Sequence, residues 1–444
     1  MKVHLIIPLS WYEKVSMFNF AALSFLYIAL IPKGFGMPFA PKYIFMLIGV
    51  LLFILHPQKQ RVYQAIAALD FILFFIFLML AVYLFSGNYL GMLKFTEGLF
   101  YLIAAAVAVN NDVKKAKLAT EIIAGIFVLS AFWFLGSLWL GGPFLTWHRW
   151  FYASNFMEID YSNALQLEVF RPTGFVFNHF TFGYQMSAGV VLVGLITLLR
   201  RGKVLSIVFI LTLIAAIYSG QRSVVVAVLI SFVLFLMSLN HKMMLKNTTL
   251  MIIFLVFSLT IISSMSMIDK FSPWKTVYAK AIDKKDDARD RLSWQIATVK
   301  TIMNNPLGTV YSNVAWVDAL RTAGASYNSY GGKVFYIHNG YLMYMLRYGW
   351  ILVIITMGML LSIGRKIIWV TRNASVEGGK YAVAVAFATL AVFIQAMFHN
   401  SSVYSNEPST WSMLVMLCIW VVCLRAEKRK SQENTLLKGC QGNG

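Results

Sequence analysis

The chain has 444 residues, of which 59% are hydrophobic and 13% are charged, and its formal net charge is +20. A soluble domain carries about 25% charged residues, so this composition excludes a water-covered protein and predicts a polytopic membrane protein. In a soluble chain such a positive charge would indicate nucleic-acid binding. Here membrane topology accounts for most of it, and no nucleic-acid partner is expected.

Apolar segments recur along the whole chain. A helix needs about 20 mostly apolar residues to cross the hydrocarbon core. It must be a helix because lipid offers no hydrogen-bond partner to the backbone, so the N–H and C=O groups have to pair within the segment. The sequence therefore predicts an all-α membrane protein of about twelve transmembrane helices. They are expected at residues 16–32, 42–55, 66–86, 90–110, 118–140, 180–199, 204–219, 223–239, 249–268, 340–362, 381–398 and 411–424.

The short connections between these segments alternate along the chain: one set is rich in Lys and Arg, and the other set has almost none. The basic set contains Lys59, Arg61, Lys114, Lys115, Lys117, Arg200, Arg201, Lys203, Lys242, Lys246, Arg365, Lys366, Arg372 and Lys380. The positive-inside rule assigns this set, and with it both termini, to the cytoplasm. Residues 1–424 are then a single membrane domain with two long outer loops, 141–179 and 269–338. Residues 425–444 form a polar cytoplasmic tail that we expect to be disordered.

The second outer loop is predicted to be partly helical. The stretch "DARDRLSWQIATVKTIMNNPLG" has Asp287 or Asp290 to cap its start, and Pro306 and Gly308 to end it. Apolar residues recur at helical spacing, at Leu292, Ile296, Val299 and Met303. We expect this helix to lie at the outer mouth of the bundle.

His338 and Asn339 stand where this loop meets the next apolar helix. A neutral imidazole accepts a proton near pH 7 and therefore suits a general base. Asn339 is a candidate substrate contact, but it is also a good N-cap residue. Both interpretations stay open at this stage.

Several arginines are predicted to face the same outer side. Arg222 stands alone between two apolar runs, where a cation is either functional or snorkels to the interface. Arg171 precedes a Pro-Thr-Gly turn, and Arg289 and Arg291 open the loop helix. Guanidinium groups match phosphate oxygens well, although Arg291 also has the simpler interpretation of a solvated helix start.

The stretch "VFRPTGFVFNHFTFGYQMSAG" adds His179 and Gln185 as candidate substrate contacts, with an interfacial aromatic belt as the alternative. Asp286, Asp287 and Asp290 do not fit a calcium loop, because the required glycine and glutamate are missing. The sequence also lacks the P-loop and HExxH patterns. No metal, no cofactor and no ATP hydrolysis are expected.

Four motifs, "RPTGFVFNHFTFGYQMSAG", "SGQRSVVVAVLI", "DRLSWQIATVKTIMNNPLG" and "HNGYLMYMLRYG", resemble in this order those of the bacterial O-antigen polymerase and O-antigen ligase superfamily. The resemblance covers about residues 165–365. It implies a glycosyltransferase C-like fold in the bacterial inner membrane and a periplasmic active site. The stretch "SGQRS" departs from the common pattern of Ser or Thr before the arginine and Gly after it, which weakens any subfamily assignment.

The resemblance also implies a chemistry. It is a metal-independent, inverting glycosyl transfer from a glycan on undecaprenyl diphosphate, with His338 as the general base. Arg222 and Arg291 would bind the diphosphate, Arg171 is a further candidate for this role, and Tyr341 is a further candidate substrate contact. A chain-length regulator, a flippase and membrane lipids are the other expected partners.

The aromatic and apolar residues after His338-Asn339 favour a polymerase, which transfers the chain to a lipid-linked repeat unit. The alternative is a ligase, which transfers it to the lipid A core. A secondary transporter or lipid-linked glycan flippase is the alternative from another class, with Asp70, Glu97 and Glu121 as its intramembrane acids. A purely structural scaffold is a third possibility.

Overall fold

The computed structural model describes residues 9–29, 40–69, 71–140, 174, 176, 179–200, 202–219, 221–238, 285–312, 315–324, 337, 339–399 and 402–441. In this part of the chain all regular secondary structure is helical. Five helices there are long and apolar enough to cross a membrane: Tyr89–Val109, Val113–Ser137, Thr181–Leu198, Trp350–Arg372 and Pro408–Glu433. The protein is therefore a helical membrane protein, as its composition predicts.

Within the described ranges the helices follow one another in a bundle. They are α1 (Leu9–Ile28), α2 (Lys42–Ile54), α3 (Lys59–Ala67), α4 (Phe71–Phe85), α5 (Tyr89–Val109), α6 (Val113–Trp139), α7 (His179–Arg200), α8 (Lys203–Tyr218), α9 (Arg222–Met237), α10 (Lys285–Asn304), α11 (Trp316–Thr322), α12 (Gly340–Tyr348), α13 (Trp350–Arg372), α14 (Gly379–Gln395) and α15 (Pro408–Gln441). A 3₁₀ turn, Val403–Ser405, lies between α14 and α15.

The predicted spans correspond to helices of unequal length. Helices α4, α8, α9 and α14 coincide with predicted spans but have only 15 to 17 residues. Helices α2 and α3 are bent by 119° against each other, so they form either a broken span or a re-entrant segment. The predicted span 249–268 lies outside the described residues. The number twelve consequently stays a prediction.

Helix α14 lies at the centre of the bundle and packs against α7, α9, α13 and α15. Alanines make up much of its length, and every one of them is buried: Ala382, Ala384, Ala386, Ala388 and Ala391. Small side chains let neighbouring helices approach closely, which is how membrane helices gain packing energy without a hydrophobic driving force. The short side chains of α14 thus let its four neighbours pack closely around it.

The contacts divide the bundle into two ends. At the end that we call the basic end, the guanidinium of Arg200 lies 3.0 Å from Glu121, and the hydroxyl of Tyr381 donates to the same carboxylate at 2.8 Å. Lys115 pairs there with Glu13 at 2.6 Å. The described basic connections therefore lie together, as the alternation of charge along the sequence predicts.

One predicted helix is broken. Residues 340–362 were expected to form one span, but Gly349 has φ +72° and separates α12 from α13. The chain after α10 fills the break through its backbone: Trp350 N donates to Pro306 O at 2.9 Å, and Thr309 N donates to Leu346 O at 2.9 Å. A Cβ atom on Gly349 would overlap the Pro306 carbonyl oxygen. The motif "NNPLG" is thus a docking loop as well as a helix end.

Two other expectations need correction. Helix α10 begins at Lys285, so Asp287 and Asp290 lie in its first two turns and not at an N-cap, where their charge still suits the helix dipole. The tail expected to be disordered continues α15 as far as Gln441. Its residues from Arg425 onward include strong helix formers, and Lys430 pairs with Glu427 at 3.3 Å one turn away.

Candidate functional site

A cluster of buried polar side chains lies at the C-terminal end of α14. Gln395 Nε2 donates to Ser223 Oγ at 3.0 Å and to Gln221 Oε1 at 3.4 Å. His399 Nε2 shares a 2.8 Å hydrogen bond with the same Ser223 hydroxyl. We call Gln221, Ser223, Gln395 and His399 the polar clamp. Its members are all buried, and buried polar groups of this kind rigidify their surroundings when they are satisfied.

The polar clamp holds the start of α9. Gln221 is the N-cap of this helix, Arg222 is its first residue, and Ser223 follows. The two residues that flank Arg222 are therefore both fastened to α14. The side chain of Arg222 lies outside the described part of the chain, but its backbone begins a helix, where the free N–H groups and the helix dipole favour an anion.

The segment around His338 meets the same end of α14. Gly340 N donates to Ala396 O at 2.9 Å, and Ser402 Oγ donates to Gly340 O at 3.3 Å. His338 itself lies outside the described residues. Its neighbours Ile337 and Asn339 are described.

The loop helix reaches the other side of this segment. Ile337 belongs to a buried apolar cluster that also contains Trp294, Ala297 and Leu346. Trp294 follows Arg291 by one helical turn, so the backbone of Arg291 lies close to the part of α10 that packs near Ile337. The side chains of Arg289 and Arg291 lie outside the described part. Ile337 thus shares a cluster with the helix that carries Arg291, and Gly340 is bonded to α14 directly after Gln395 of the clamp.

The structure gives two candidate contacts in this segment a structural role. Asn339 is the N-cap of α12, and its side-chain oxygen accepts from Tyr341 N and Leu342 N, both at 3.0 Å. The hydroxyl of Tyr341 donates to Phe393 O at 2.8 Å, and its ring is buried. Tyr341 therefore ties α12 to α14, and its role as a substrate contact stays a prediction.

Gln185 also belongs to the interior of the bundle. Its Nε2 donates to Ile28 O at 2.9 Å, and its Oε1 accepts from the hydroxyl of Ser130, so it joins α7 to α1 and α6. The side chain is fully buried, and its role as a substrate contact stays a prediction. His179 begins α7 with its side chain outside the described part, and Arg171 lies outside the described residues altogether.

No protein-family model matches this chain, and no curated protein matches it. The geometry and the chemistry of the side chains therefore carry the functional argument. The motif resemblance supplies only the expected roles of His338, Arg222 and Arg291.

His399 is the residue that sequence reasoning missed. It lies in the connection "HNSSVYSNEPST", whose lack of Lys and Arg was used only to assign the membrane topology. A signal was available, because His399-Asn400 repeats the dipeptide His338-Asn339 at the start of another connection on the same predicted side. The contact with Ser223 could not be read from this repetition, since the two residues are 176 positions apart.

A second polar network crosses the same end of the bundle near α1, α2 and α5. Glu97 is buried, and its carboxylate lies 2.7 Å from Lys42 Nζ. Tyr43 donates to Glu97 at 2.8 Å, and Asn406 Nδ2 donates to it at 3.1 Å. Asn406 also accepts from the hydroxyl of Tyr27 at 2.6 Å. With so many partners, Glu97 is a well-compensated ion that ties helices together.

Glu407 stands directly before the span Pro408–Glu433 and is fully buried. Its carboxyl accepts from Ser409 N at 3.1 Å and from Thr410 N at 2.6 Å, which caps α15. Burial raises the pKa of Glu407 to about 7, and the hydrogen bonds from Thr410 and Ser409 oppose this shift. A carboxyl with this pKa exchanges its proton near neutral pH.

Proposed function

We propose that the protein is a membrane glycosyltransferase that polymerises glycan repeat units carried on undecaprenyl diphosphate. One observation carries the proposal. Of the described residues on either side of His338, Ile337 shares an apolar cluster with Trp294 of the helix that carries Arg291, and Gly340 is bonded to Ala396, which follows Gln395 of the clamp. In this proposal the side chains of His338, Arg222 and Arg291, which the motif resemblance implies, meet at this end of the bundle.

The chemistry follows from these residue types. His338 takes the proton of an acceptor sugar hydroxyl as the oxygen attacks the anomeric carbon from the face opposite the diphosphate. The bond between that carbon and the diphosphate oxygen breaks, and its electron pair leaves with undecaprenyl diphosphate. Arg222 and Arg291 stabilise the departing charge, and the loss of one such donor costs about 2.7–4 kcal/mol of transition-state stabilisation. Arg171 is a further donor in this proposal.

The membrane setting suits both substrates. A polyprenyl chain needs an apolar bundle, whereas its sugars need water, so the reacting atoms meet at the interface. In this proposal the bundle lies in a bacterial inner membrane, the basic end faces the cytoplasm, and the clamp faces the periplasm.

The alternatives differ in what they require. A ligase uses the same donor and mechanism but a lipid A core acceptor. A transporter or flippase needs intramembrane acids that are free to change partners. The networks around Glu97 and Glu121 give both acids interhelical partners, which favours the transferase. Asp70 lies outside the described residues.

Deletion of the gene followed by a surface-glycan gel tests the proposal. Loss of a polymerase leaves core capped with one repeat unit, whereas loss of a ligase leaves bare core and accumulated lipid-linked polymer. Unchanged glycan would contradict both and favour the transporter. Complementation with His338→Ala should give no polymer at normal protein level, and complementation with Arg372→Gln, a change at the basic end, should restore it.

A further inference from the structure

A cavity of about 390 Å³ lies at the basic end, between the C-terminal half of α13 and α15. This volume falls in the range of about 300–1,000 Å³ that is usual for small-molecule sites. The cavity is far along α13 from the break at Gly349 and therefore from the candidate glycosyl-transfer site. Its lining consists of Gly358, Leu361, Ser362, Arg365, Lys366, Trp369, Val421 and Arg425.

Three of the eight lining residues are cations, and the lining contains no acidic residue. Lys366 is almost completely buried, with its Nζ 3.1 Å from Ser362 Oγ. Arg425 comes from the facing helix and lies over the ring of Trp369, 5.4 Å from its centroid. Glu427, the nearest acid along α15, pairs with Lys430. Three positive charges that converge on one cavity create a strong preference for an anion.

The surroundings of the cavity are those of the lipid boundary. Leu361 lines the cavity and is also 61% exposed, and it continues an exposed apolar face of α13 formed by Ile354, Met357 and Ile368. In a membrane helix such a face contacts acyl chains. Trp369 is an amphipathic ring of the kind that sits at headgroup level. The cavity thus joins an acyl-facing surface to a set of cations.

We infer that this cavity binds the phosphate group of an anionic phospholipid, with Arg365, Lys366 and Arg425 as its cationic ligands and the acyl chains along α13. The shared chemistry is a phosphate anion, which a lipid headgroup or a soluble phosphate ester both offer. The continuity with the exposed apolar face of α13 favours the lipid. Basic pockets between transmembrane helices on the cytoplasmic side are suited to anionic headgroups. This inference is independent of the proposed glycosyl transfer.

Native mass spectrometry of the purified, delipidated full chain tests the inference. The probes are phosphatidylglycerol, phosphatidylcholine and soluble glycerol phosphate. The test variant combines Arg365→Gln, Lys366→Gln and Arg425→Gln. The control combines Lys59→Gln, Arg61→Gln and Lys380→Gln, which removes the same charge from exposed residues of the basic end that do not line the cavity.

The expected result is a phosphatidylglycerol adduct on the wild type and the control, with roughly 100-fold weaker retention in the test variant. Phosphatidylcholine should be retained weakly by all three. Equal retention of phosphatidylglycerol by the test variant and the control would overturn the inference, and so would binding of glycerol phosphate without the lipid. If burial of Lys366 makes the triple variant unstable, the pair Arg365→Gln and Arg425→Gln, both exposed residues, gives the same comparison.

Discussion

His399 Nε2 and Ser223 Oγ lie 2.8 Å apart, and this single contact joins the connection after α14 to the first turn of α9. Ser223 also accepts from Gln395 at 3.0 Å. Because Arg222 precedes Ser223 directly, the contact sets the position of the helix start from which the Arg222 side chain extends.

Ser223→Ala should lower polymer formation about tenfold or more while the protein stays in the membrane. The change removes the hydroxyl that contacts both His399 and Gln395 inside the clamp. Loss of one buried hydrogen-bond partner costs about 1–3 kcal/mol, and a barrier increase of about 1.4 kcal/mol lowers a rate tenfold. The measurement is the rate of polymer formation per amount of folded protein. Ser231→Ala is the matched control, because Ser231 is buried in the same helix and donates only within it, to Ala227 O. Equal rates for the two variants would contradict the positioning role of the clamp.

Gly349→Ala should destabilise the protein by at least about 1–3 kcal/mol, the usual strain of a non-glycine residue at an unfavourable φ. The added Cβ also overlaps the Pro306 carbonyl oxygen and should loosen the contact between the loop after α10 and the break between α12 and α13. Thermal unfolding in detergent measures the effect. Gly364→Ala on α13 is the control, since its Cβ meets no atom within 4 Å. Unfolding temperatures that fall equally would contradict the account of the break.

Glu407→Gln should change how stability depends on pH. The folded pKa of about 7 is above the unfolded value of 4.5, so the folded state binds more protons between these values. The free energy of unfolding of the wild type should therefore fall as pH rises from about 4.5 to 7, by an amount on the order of 3 kcal/mol, and level off above pH 7.

The measurement for Glu407 is chemical unfolding at a series of pH values. Glutamine does not ionise, so the variant should lack this decline while carrying a constant penalty for one lost cap acceptor. If the wild-type and variant curves run parallel between pH 4.5 and 7, the raised pKa is not real.

Glu97→Gln should weaken folding but leave glycosyl transfer intact. The change removes the charge opposite the partly buried Lys42, whereas the amide oxygen still accepts from Tyr43. Removing one partner of a buried pair costs about 3–5 kcal/mol; the 13% exposure of the Lys42 side chain reduces this figure. Polymer per folded molecule should equal the wild type. A flippase that uses Glu97 for ion coupling would instead lose its activity in fully folded protein.

Apolar length and charge alternation predicted much of the fold. The elements at 89–109 and 181–198 coincide with predicted spans, because long apolar runs must be helical in lipid whatever their neighbours are. The grouping of Lys115 and Arg200 at one end was also predicted, because both lie in basic connections on the same side of the alternating spans. The break at Gly349 escaped prediction, since its cause is a contact with Pro306, 43 residues earlier in the chain.

The sequence by itself determined that this protein is a helical bundle in a membrane with its basic connections at one end, because each of those properties depends on local composition and chain order. Only the tertiary structure decided which polar residues meet. Gln185 and Tyr341 look like ligand contacts in the sequence but complete hydrogen bonds inside the bundle. His399 looks like an ordinary loop residue in the sequence, but its ring nitrogen is hydrogen-bonded to Ser223. Burial leaves each polar atom only the partners that packing brings near, and packing depends on residues far apart in the chain.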